Sequence, residues 1–250
     1  MTGYVEYLNK LIEIIEKVRD TQHEAFSKAS EIIVEAFRNG KKVHYWGPGG
    51  HSSIFAEDVL AREGELLYIN PILDPNISLS HGALKEICYF ERIEEIGNAI
   101  VRVYDIEPGD VVVIGSAYGV NPVCIQGAIA CKNAGATVIA ITSHYFSDHL
   151  HNDDTRHACG KGLNEIADIY INSYSPYDDL LLERDDFDQK YGPVGTICQL
   201  LTLKALNTTV ITKMIDSKMA VPIGKNALEK GSAEFNEIYL EEMWHQVKAM

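Results

Sequence analysis

Residues 43–53 read VHYWGPGGHSS, and residues 54–60 continue as IFAEDVL. An apolar tetrapeptide, a glycine-rich turn and an amphipathic run are typical of a strand that leads through a tight turn into a helix. Glycine lets the backbone turn sharply and approach a ligand, and the free N–H groups at a helix start suit an anion. A capped turn without a ligand has the same pattern, so the rest of the chain must decide between the two.

The composition is that of an acidic globular protein. Its 250 residues are 46% hydrophobic and 23% charged, which is enough for one substantial core. The 36 acidic and 22 basic residues give a net charge of -14. This balance argues against nucleic acid as a partner, because a phosphate backbone requires a concentrated basic surface. A small phosphorylated ligand stays possible, since it needs only a local pocket of hydrogen-bond donors.

Two features predict a cytoplasmic protein without membrane attachment. No apolar run is long enough to span a bilayer, and the first residues lack the basic start and apolar stretch of a signal peptide. The cysteines are odd in number and have no C-x-x-C spacing, which favours reduced thiols. They are Cys88, Cys124, Cys131, Cys159 and Cys198.

Short apolar runs alternate with helical patterns along the chain. This alternation predicts right-handed βαβ units and a three-layer α/β/α sandwich with a five-stranded parallel sheet. Helices are predicted at 82–103 and 122–133, with a polar loop at 173–190 and a helix from Gly192-Pro193 to Ile215. The predicted strands are residues 43–46, 66–69, 111–114, 137–142 and 166–171.

Helical segments flank this core at both ends. Residues 4–38 predict two helices with a break near Asp20-Thr21, and residues 234–247 predict a terminal helix. We expect one structural domain with three parts, namely N-terminal helices, an α/β core and a C-terminal tail. These parts are residues 1–40, 41–220 and 221–250.

A second glycine-serine turn follows the predicted strand at 111–114. Residues 115–122 read GSAYGVNP. In parallel sheets, ligands lie beyond the carboxyl ends of the strands, and both turns fall at such ends. Two hydroxyl-bearing turns on one rim therefore predict a single anion pocket between them.

In their order and composition these motifs resemble the sugar isomerase (SIS) domain, a family of flavodoxin-like folds that bind phosphosugars. The resemblance covers essentially the whole chain and is greatest to a bacterial group of SIS proteins of poorly defined function. The matching pieces are residues 49–52, 56–58, 81–85, 115–122 and 156–161, the Gly192-Pro193 helix start, Asn226 and Asn236.

The resemblance implies a phosphosugar held between the two loops. SIS proteins usually show Ser-x-Ser-Gly-x-Thr/Asn in the second loop, whereas Tyr118 here stands where the second Ser is expected. Its phenol either bonds the ligand from further away or fills the phosphate site. The implied binding residues are Gly47, Gly49, Gly50, Ser52, Ser53, Ser116, Tyr118, Gly119 and Asn121.

The first loop also resembles that of phosphoheptose isomerases, in which an Ala-Glu-Glu helix follows and the second Glu is catalytic. That position is Asp58 here, and either Glu57 or Asp58 is the expected base for an aldose–ketose proton transfer. Opening of the sugar ring is assigned to His51, His81 or His157. Surface or capping roles for these carboxylates and histidines remain the alternative.

The leading hypothesis is an enzyme that isomerises a phosphorylated sugar or amino sugar through an enediol. The alternatives are a non-catalytic phosphosugar sensor and a phosphosugar lyase or etherase. We expect no cofactor and no metal, because the histidines between 144 and 157 match no usual zinc spacing. A homodimer or higher homo-oligomer is expected, because the helices at 4–38 and 234–247 offer more apolar surface than one sheet needs.

Overall fold

A five-stranded parallel sheet forms the centre of the chain and confirms the predicted fold class. The computed structural model describes residues 3–82, 89–149, 156–244 and 246–249. The strand order is β2-β1-β3-β4-β5, so the two glycine-serine turns follow the neighbouring strands β1 and β3. The strands are β1 Val43–Trp46, β2 Ile69–Ile72, β3 Val111–Gly115, β4 Thr137–Thr142 and β5 Ile169–Asn172.

Helices cover both faces of this sheet. Along the described chain they are α1 Gly3–Thr21, α2 His23–Arg38, α3 Ile54–Glu57, α4 Glu94–Val103, α5 Pro122–Asn133, α6 His144–His149, α7 Leu163–Ile166, α8 Gly195–Asp216 and α9 Ser232–Trp244. Successive strand residues point to opposite faces. Tyr45 and Val113 therefore pack with α2 and α8, while Trp46 and Ile114 pack with α4 and α5.

The second strand begins where the sequence analysis expected it to end. Residues 66–69 were predicted, but β2 starts at Ile69. The Leu67 N–H instead donates a hydrogen bond to the Pro222 oxygen at 2.8 Å, and Leu66 forms an antiparallel bridge with Ile223. Pro71 lies within β2, which is tolerated because β2 is the edge strand and one side needs no donor.

The fifth strand is also displaced, from the predicted 166–171 to β5. The preceding apolar residues form α7, whose first turn is closed by the Gly162 N–H donating to the Glu165 carboxylate at 2.7 Å. Asp168 then accepts a hydrogen bond from the Val138 N–H at 2.9 Å and fixes where pairing with β4 starts. Local capping therefore decides this boundary.

The polar loop predicted at 173–190 is wrong, because this segment contains an antiparallel hairpin. Its strands are β6 Leu180–Arg184 and β7 Phe187–Pro193. Leu181 packs with Ile14 and Leu11 of α1. The three consecutive leucines at 180–182 therefore form a strand in spite of the acidic residues around them. The next helix, α8, starts at Gly195 instead of Gly192-Pro193, because Asp179 accepts hydrogen bonds from the Val194 and Gly195 N–H groups.

Two predicted helices are shorter than expected. The first glycine turn leads into a 3-10 helix, His51–Ser53, and then only one turn of α3. Of the helix predicted at 82–103, residues 83–88 lie outside the described part. Residues Phe90–Arg92 form a 3-10 turn, and α4 starts only after Ile93, which is extended.

The end of the chain returns to the sheet edge. Met243 and Val247 pack with Leu67, and the Lys248 N–H donates to the Asn70 side chain at 3.2 Å. In the described part of the chain, no helix combines the length and apolar character needed to cross a membrane.

Candidate functional site

The two glycine-serine loops meet at the carboxyl edge of the sheet and enclose a cavity of about 380 Å³. The loop before α8 closes the third side. Its described lining residues are Pro48, Gly49, Gly50, His51, Ser52, Glu91, Ser116, Ala117, Tyr118, Asn121, Asp179, Pro193, Val194, Thr196, Ile197 and Gln199. We call this space the rim cavity.

The first loop is folded tightly upon itself. A Cβ atom on Gly47 would lie 1.7 Å from the Ser52 carbonyl oxygen, so only glycine fits there. The Ser53 N–H donates to the Gly49 oxygen at 2.8 Å, and the Ser53 hydroxyl donates to the Gly50 oxygen at 3.0 Å. Gly49, Gly50 and Ser52 therefore line the rim cavity, whereas Gly47 and Ser53 line a neighbouring cavity of about 240 Å³.

The second loop depends on Gly119, whose φ of +59° is in the left-handed region and whose Cβ position would lie 2.5 Å from the Thr142 hydroxyl oxygen. Its N–H donates to the Ser116 hydroxyl oxygen at 3.0 Å. The same hydroxyl also forms a hydrogen bond with the buried Cys124 side chain, so Ser116 joins the loop to α5. Ser116 and Asn121 line the rim cavity, and Gly119 supports the loop from behind.

Tyr118 lies on the cavity wall. Its ring packs against Phe146 with centroids 4.1 Å apart, and 40% of the residue remains exposed. Burial, together with the Asp179 and Glu91 carboxylates, raises the pKa of its hydroxyl. The phenol is therefore a neutral hydrogen-bonding group within the electrostatic reach of both acids.

Glu91 is a carboxyl group in the cavity that the sequence analysis did not select. Burial raises its pKa to about 7, although a hydrogen bond from the Asn121 side chain, the charge of Arg92 and a hydrogen bond from the Gly50 N–H work in the opposite direction. It therefore exchanges a proton near neutral pH and touches both loops. Only its place in the segment 91–95, in which four of five residues are charged, was visible in the sequence, and a solvated helix end has the same pattern.

Asp179 is the second carboxyl group of the rim cavity. Burial raises its pKa, while N–H donors from Gly195 and Val194, the Ser175 hydroxyl and the nearby His51 favour the charged form. Its own backbone is left-handed, with φ of +62°. Asp179, Thr196 and Gln199 follow or flank the hairpin that the sequence analysis took for a loop, which is why they were missed.

The two carboxylates expected as bases lie away from the rim cavity. Glu57 is exposed and lines the neighbouring cavity beside Asp74. Asp58 forms ion pairs with Lys204 at 2.5 Å and with Arg62 at 3.1 Å. The one-turn length of α3 explains this arrangement, because the chain leaves the rim soon after Ser53.

The three expected histidines lie in different surroundings. His51 is exposed and lines the rim cavity. His157 is buried and accepts the Cys159 N–H at Nδ1, so its Nε2 is the atom that donates, to Gln126 at 3.1 Å. His157 thus braces its loop against α5 outside the cavity lining. The side chain of His81 lies outside the described part of the structure.

A second cleft of about 350 Å³ lies between α1 and the hairpin. Two of its three described lysines, Lys10 and Lys190, are held by protein partners, and the third is Lys17. Lys10 donates to the Leu181 oxygen at 2.8 Å, and Lys190 pairs with Asp178 at 2.7 Å. Among the described residues, no group of three or more His, Cys, Asp or Glu side chains is arranged to hold a metal ion. The rim cavity is therefore the candidate site.

Residues 6–143, more than half of the chain, match the family model described as the SIS domain. The chain belongs to the SIS domain family. A UPF0309 protein of Caldanaerobacter subterraneus subsp. tengcongensis is 32% identical over 232 residues, which are 92% of this chain and 93% of that protein. The chain is accordingly a member of the UPF0309 group as well.

Solved structures share the fold at lower sequence identity. The phosphoheptose isomerase of Neisseria gonorrhoeae has a TM-score of 0.55 and 17% identity, over 84% of this chain and 96% of that chain. A phosphoheptose isomerase from Francisella tularensis has a TM-score of 0.53 and 17% identity, over 84% and 98%. These similarities concern the fold.

Proposed function

We propose that the rim cavity binds a phosphorylated sugar. The support is the meeting of two loops whose hydroxyl and amide groups face one space. Ser52, Ser116, Tyr118 and Asn121 line it, and each carries a hydroxyl or amide group that can donate a hydrogen bond. Neutral donors of this kind bind phosphate oxygens through charge-assisted hydrogen bonds. Gly47 and Gly119 shape the loops, and Ser53 ties the first loop together.

The proposed reaction is aldose–ketose isomerisation through an enediol, with Glu91 as the base. The observation that carries this assignment is a carboxyl group with a pKa of about 7, in direct contact with both phosphate-binding loops. A base with a pKa near the working pH is present in its charged form and can still give the proton back. The two phosphoheptose isomerases of the same fold supply the reaction class.

Proton transfer then has a simple geometry. Glu91 removes the proton next to the carbonyl and returns it to the neighbouring carbon, while the phosphate holds the sugar at the loops. His51 is the proposed acid for ring opening, because it is the histidine on the cavity wall. Asp58 forms ion pairs with Lys204 and Arg62, and Glu57 does not line the rim cavity, so neither is the base in this proposal.

The working form is proposed to be a cytoplasmic homodimer or higher homo-oligomer. Three side chains spaced four residues apart on α1, Tyr4, Leu8 and Ile12, are largely exposed, at 70%, 48% and 51%. Apolar side chains spaced in this way form one helix face and favour a partner surface. Sedimentation at micromolar concentration tests this, and a monomer would contradict it.

The function is tested by NMR in deuterated water with a panel of sugar phosphates, following exchange of the proton at C2. We expect exchange and interconversion for at least one member of the panel. The double variant Ser52→Ala/Ser116→Ala should weaken binding of that sugar phosphate by about 3 kcal/mol, the scale of two charge-assisted hydrogen bonds. Binding without exchange would favour the sensor, and no binding of any sugar phosphate would refute the proposal.

A further inference from the structure

The rim cavity has an unusual charge for a site that receives a phosphate. Glu91 and Asp179 both line it, and none of its described lining residues is Lys or Arg, although Arg92 acts on Glu91 from outside the lining and His51 acts on Asp179. Burial is the main cause of the raised pKa of the Tyr118 hydroxyl, and the carboxylates of Asp179 and Glu91 add to it, so both acids act on the same region. A phosphorylated sugar without a positive group would bring more negative charge into this space. The cavity is therefore better matched to a ligand that also carries a cation.

The start of α8 is already occupied by a carboxylate. Helix α8 is 22 residues long, and its first N–H groups would otherwise attract an anion. Asp179 takes those donors through its Oδ1 atom, which accepts from Gly195 and Val194. The Ser175 hydroxyl donates to the same Oδ1. Within the described residues no side-chain hydrogen bond of Asp179 ends on Oδ2, and the residue lines the rim cavity.

Gln199 adds a second acceptor with no partner. Its residue is only 1% exposed, and it lines the same cavity. Its Nε2 donates to the Gly195 oxygen at 3.2 Å, which fixes the orientation of the amide, because the reverse orientation would oppose two oxygens. Its Oε1 is buried and has no hydrogen-bond partner among the described residues. A buried acceptor of this kind is costly unless a bound group satisfies it.

We propose that the ligand is a phosphosugar with a protonated amino group, whose ammonium is held by Asp179 Oδ2 and Gln199 Oε1. Both acceptors are anchored on one residue, since Gly195 donates to Asp179 and accepts from Gln199. An ammonium carries three donors and no acceptor, which suits two acceptors with a net negative charge. The inference rests on the proposed function and narrows its substrate class to amino sugar phosphates.

The first test is calorimetry with glucosamine 6-phosphate and glucose 6-phosphate, which differ only at C2. Near neutral pH, glucosamine 6-phosphate should bind at least about tenfold more tightly, the scale of one charge-assisted hydrogen bond. N-acetylglucosamine 6-phosphate keeps the nitrogen but loses its charge, and it should bind no better than glucose 6-phosphate. Equal affinities, or tighter binding of glucose 6-phosphate, would overturn this inference alone. Absence of binding by all three would overturn the proposed function as well.

The second test uses a matched pair of variants. Asp179→Asn keeps an oxygen for the α8 donors and replaces Oδ2 by an NH2 group, so the tenfold preference should disappear. Asp178→Asn changes the charge equally at the next residue, which pairs with Lys190 at 2.7 Å and lies outside the rim cavity, so the preference should remain. Loss of the preference in both variants would overturn the proposal.

Gln199→Leu provides a further check that leaves the cap of α8 intact. It removes the unpartnered acceptor and should weaken glucosamine 6-phosphate more than glucose 6-phosphate. Binding should not require magnesium chloride. If it did, and if the affinities of the two sugars were then equal, the carboxylates would bind a metal ion and the proposal would be wrong. Retention of the full preference in both Asp179→Asn and Gln199→Leu would likewise contradict it.

Discussion

Two groups of carboxylates in this chain have opposite surroundings. Asp58 and Glu65 share the ammonium of Lys204, at 2.5 and 2.6 Å. Glu91 and Asp179 in the rim cavity receive hydrogen bonds from amide and hydroxyl groups, and Arg92 and His51 act on them electrostatically, but neither forms an ion pair with Lys or Arg among the described contacts. A nearby cation favours the charged form of a carboxylate, whereas burial raises its pKa, and burial is the largest cause of the raised pKa of both Glu91 and Asp179. The difference identifies which acids are suited to proton transfer.

The paired group is continuous with the core. Glu65 also accepts from the Asn207 side chain at 2.7 Å, and the Asn207 oxygen accepts from the Tyr45 hydroxyl at 2.5 Å. Tyr45 is fully buried in the sheet, and burial raises the pKa of its hydroxyl. This chain of contacts ties α8 to β1, so we assign it a structural role.

The largest expected effect separates the two groups by turnover. Glu91→Gln removes the proposed base and keeps its shape, so turnover of the accepted sugar phosphate should fall about a hundredfold or more. Asp58→Asn and Glu57→Gln should change turnover by less than about threefold, because neither residue lines the rim cavity. Initial rates by NMR measure the three variants. Full activity in Glu91→Gln, or a hundredfold loss in Asp58→Asn, would reverse the assignment.

The second expected effect concerns stability. Lys204→Met leaves Asp58 and the buried Glu65 without their shared cation, and the free energy of unfolding should fall by about 2 kcal/mol, since the partly exposed lysine is screened by water. Lys213→Met on the same helix is the control, because its partner Glu31 is 64% exposed, and the loss should stay below about 1 kcal/mol. Equal losses in urea unfolding would show that the paired group has no special role.

The smallest expected effect is a dependence of stability on pH. The pKa of Glu91 rises from 4.5 to about 7 on folding, so the unfolded chain releases this proton first as the pH rises. Glu91 therefore lowers stability progressively between about pH 4.5 and 7. Glu91→Gln should be more stable than the original chain by about 1 kcal/mol above this window, after allowance for partial exposure. Below the window the two should be equally stable, and a constant difference across pH would contradict this origin.

The sequence predicted the sheet well because apolar runs such as Val111-Val112-Val113-Ile114 can be buried only on both faces. It predicted the two loops from Gly47, Ser52 and Ser116, which now line or shape one cavity. It did not reveal Glu91 or Asp179. Their surroundings come from residues far along the chain, since Asn121 and Gly50 meet Glu91 only after folding.

The displaced elements have a related cause. The shift of β2 comes from pairing with residues near 222, and the hairpin after β5 comes from packing on α1. Both are contacts between distant parts of the chain, which periodicity within a window does not report. The position of Asp58 has a similar cause, because its ion-pair partner Lys204 is 146 residues further along the chain.

The most direct test of the central claim is a titration of the Glu91 carboxyl group in the intact, ligand-free chain. Glutamate labelled with ¹³C at Cδ gives one signal per residue, and the signal missing in Glu91→Gln identifies Glu91. The account predicts a midpoint at a pH of about 7. A midpoint near the ordinary value of 4.5 would mean that Glu91 is an ordinary surface acid, and the proposed base would be wrong.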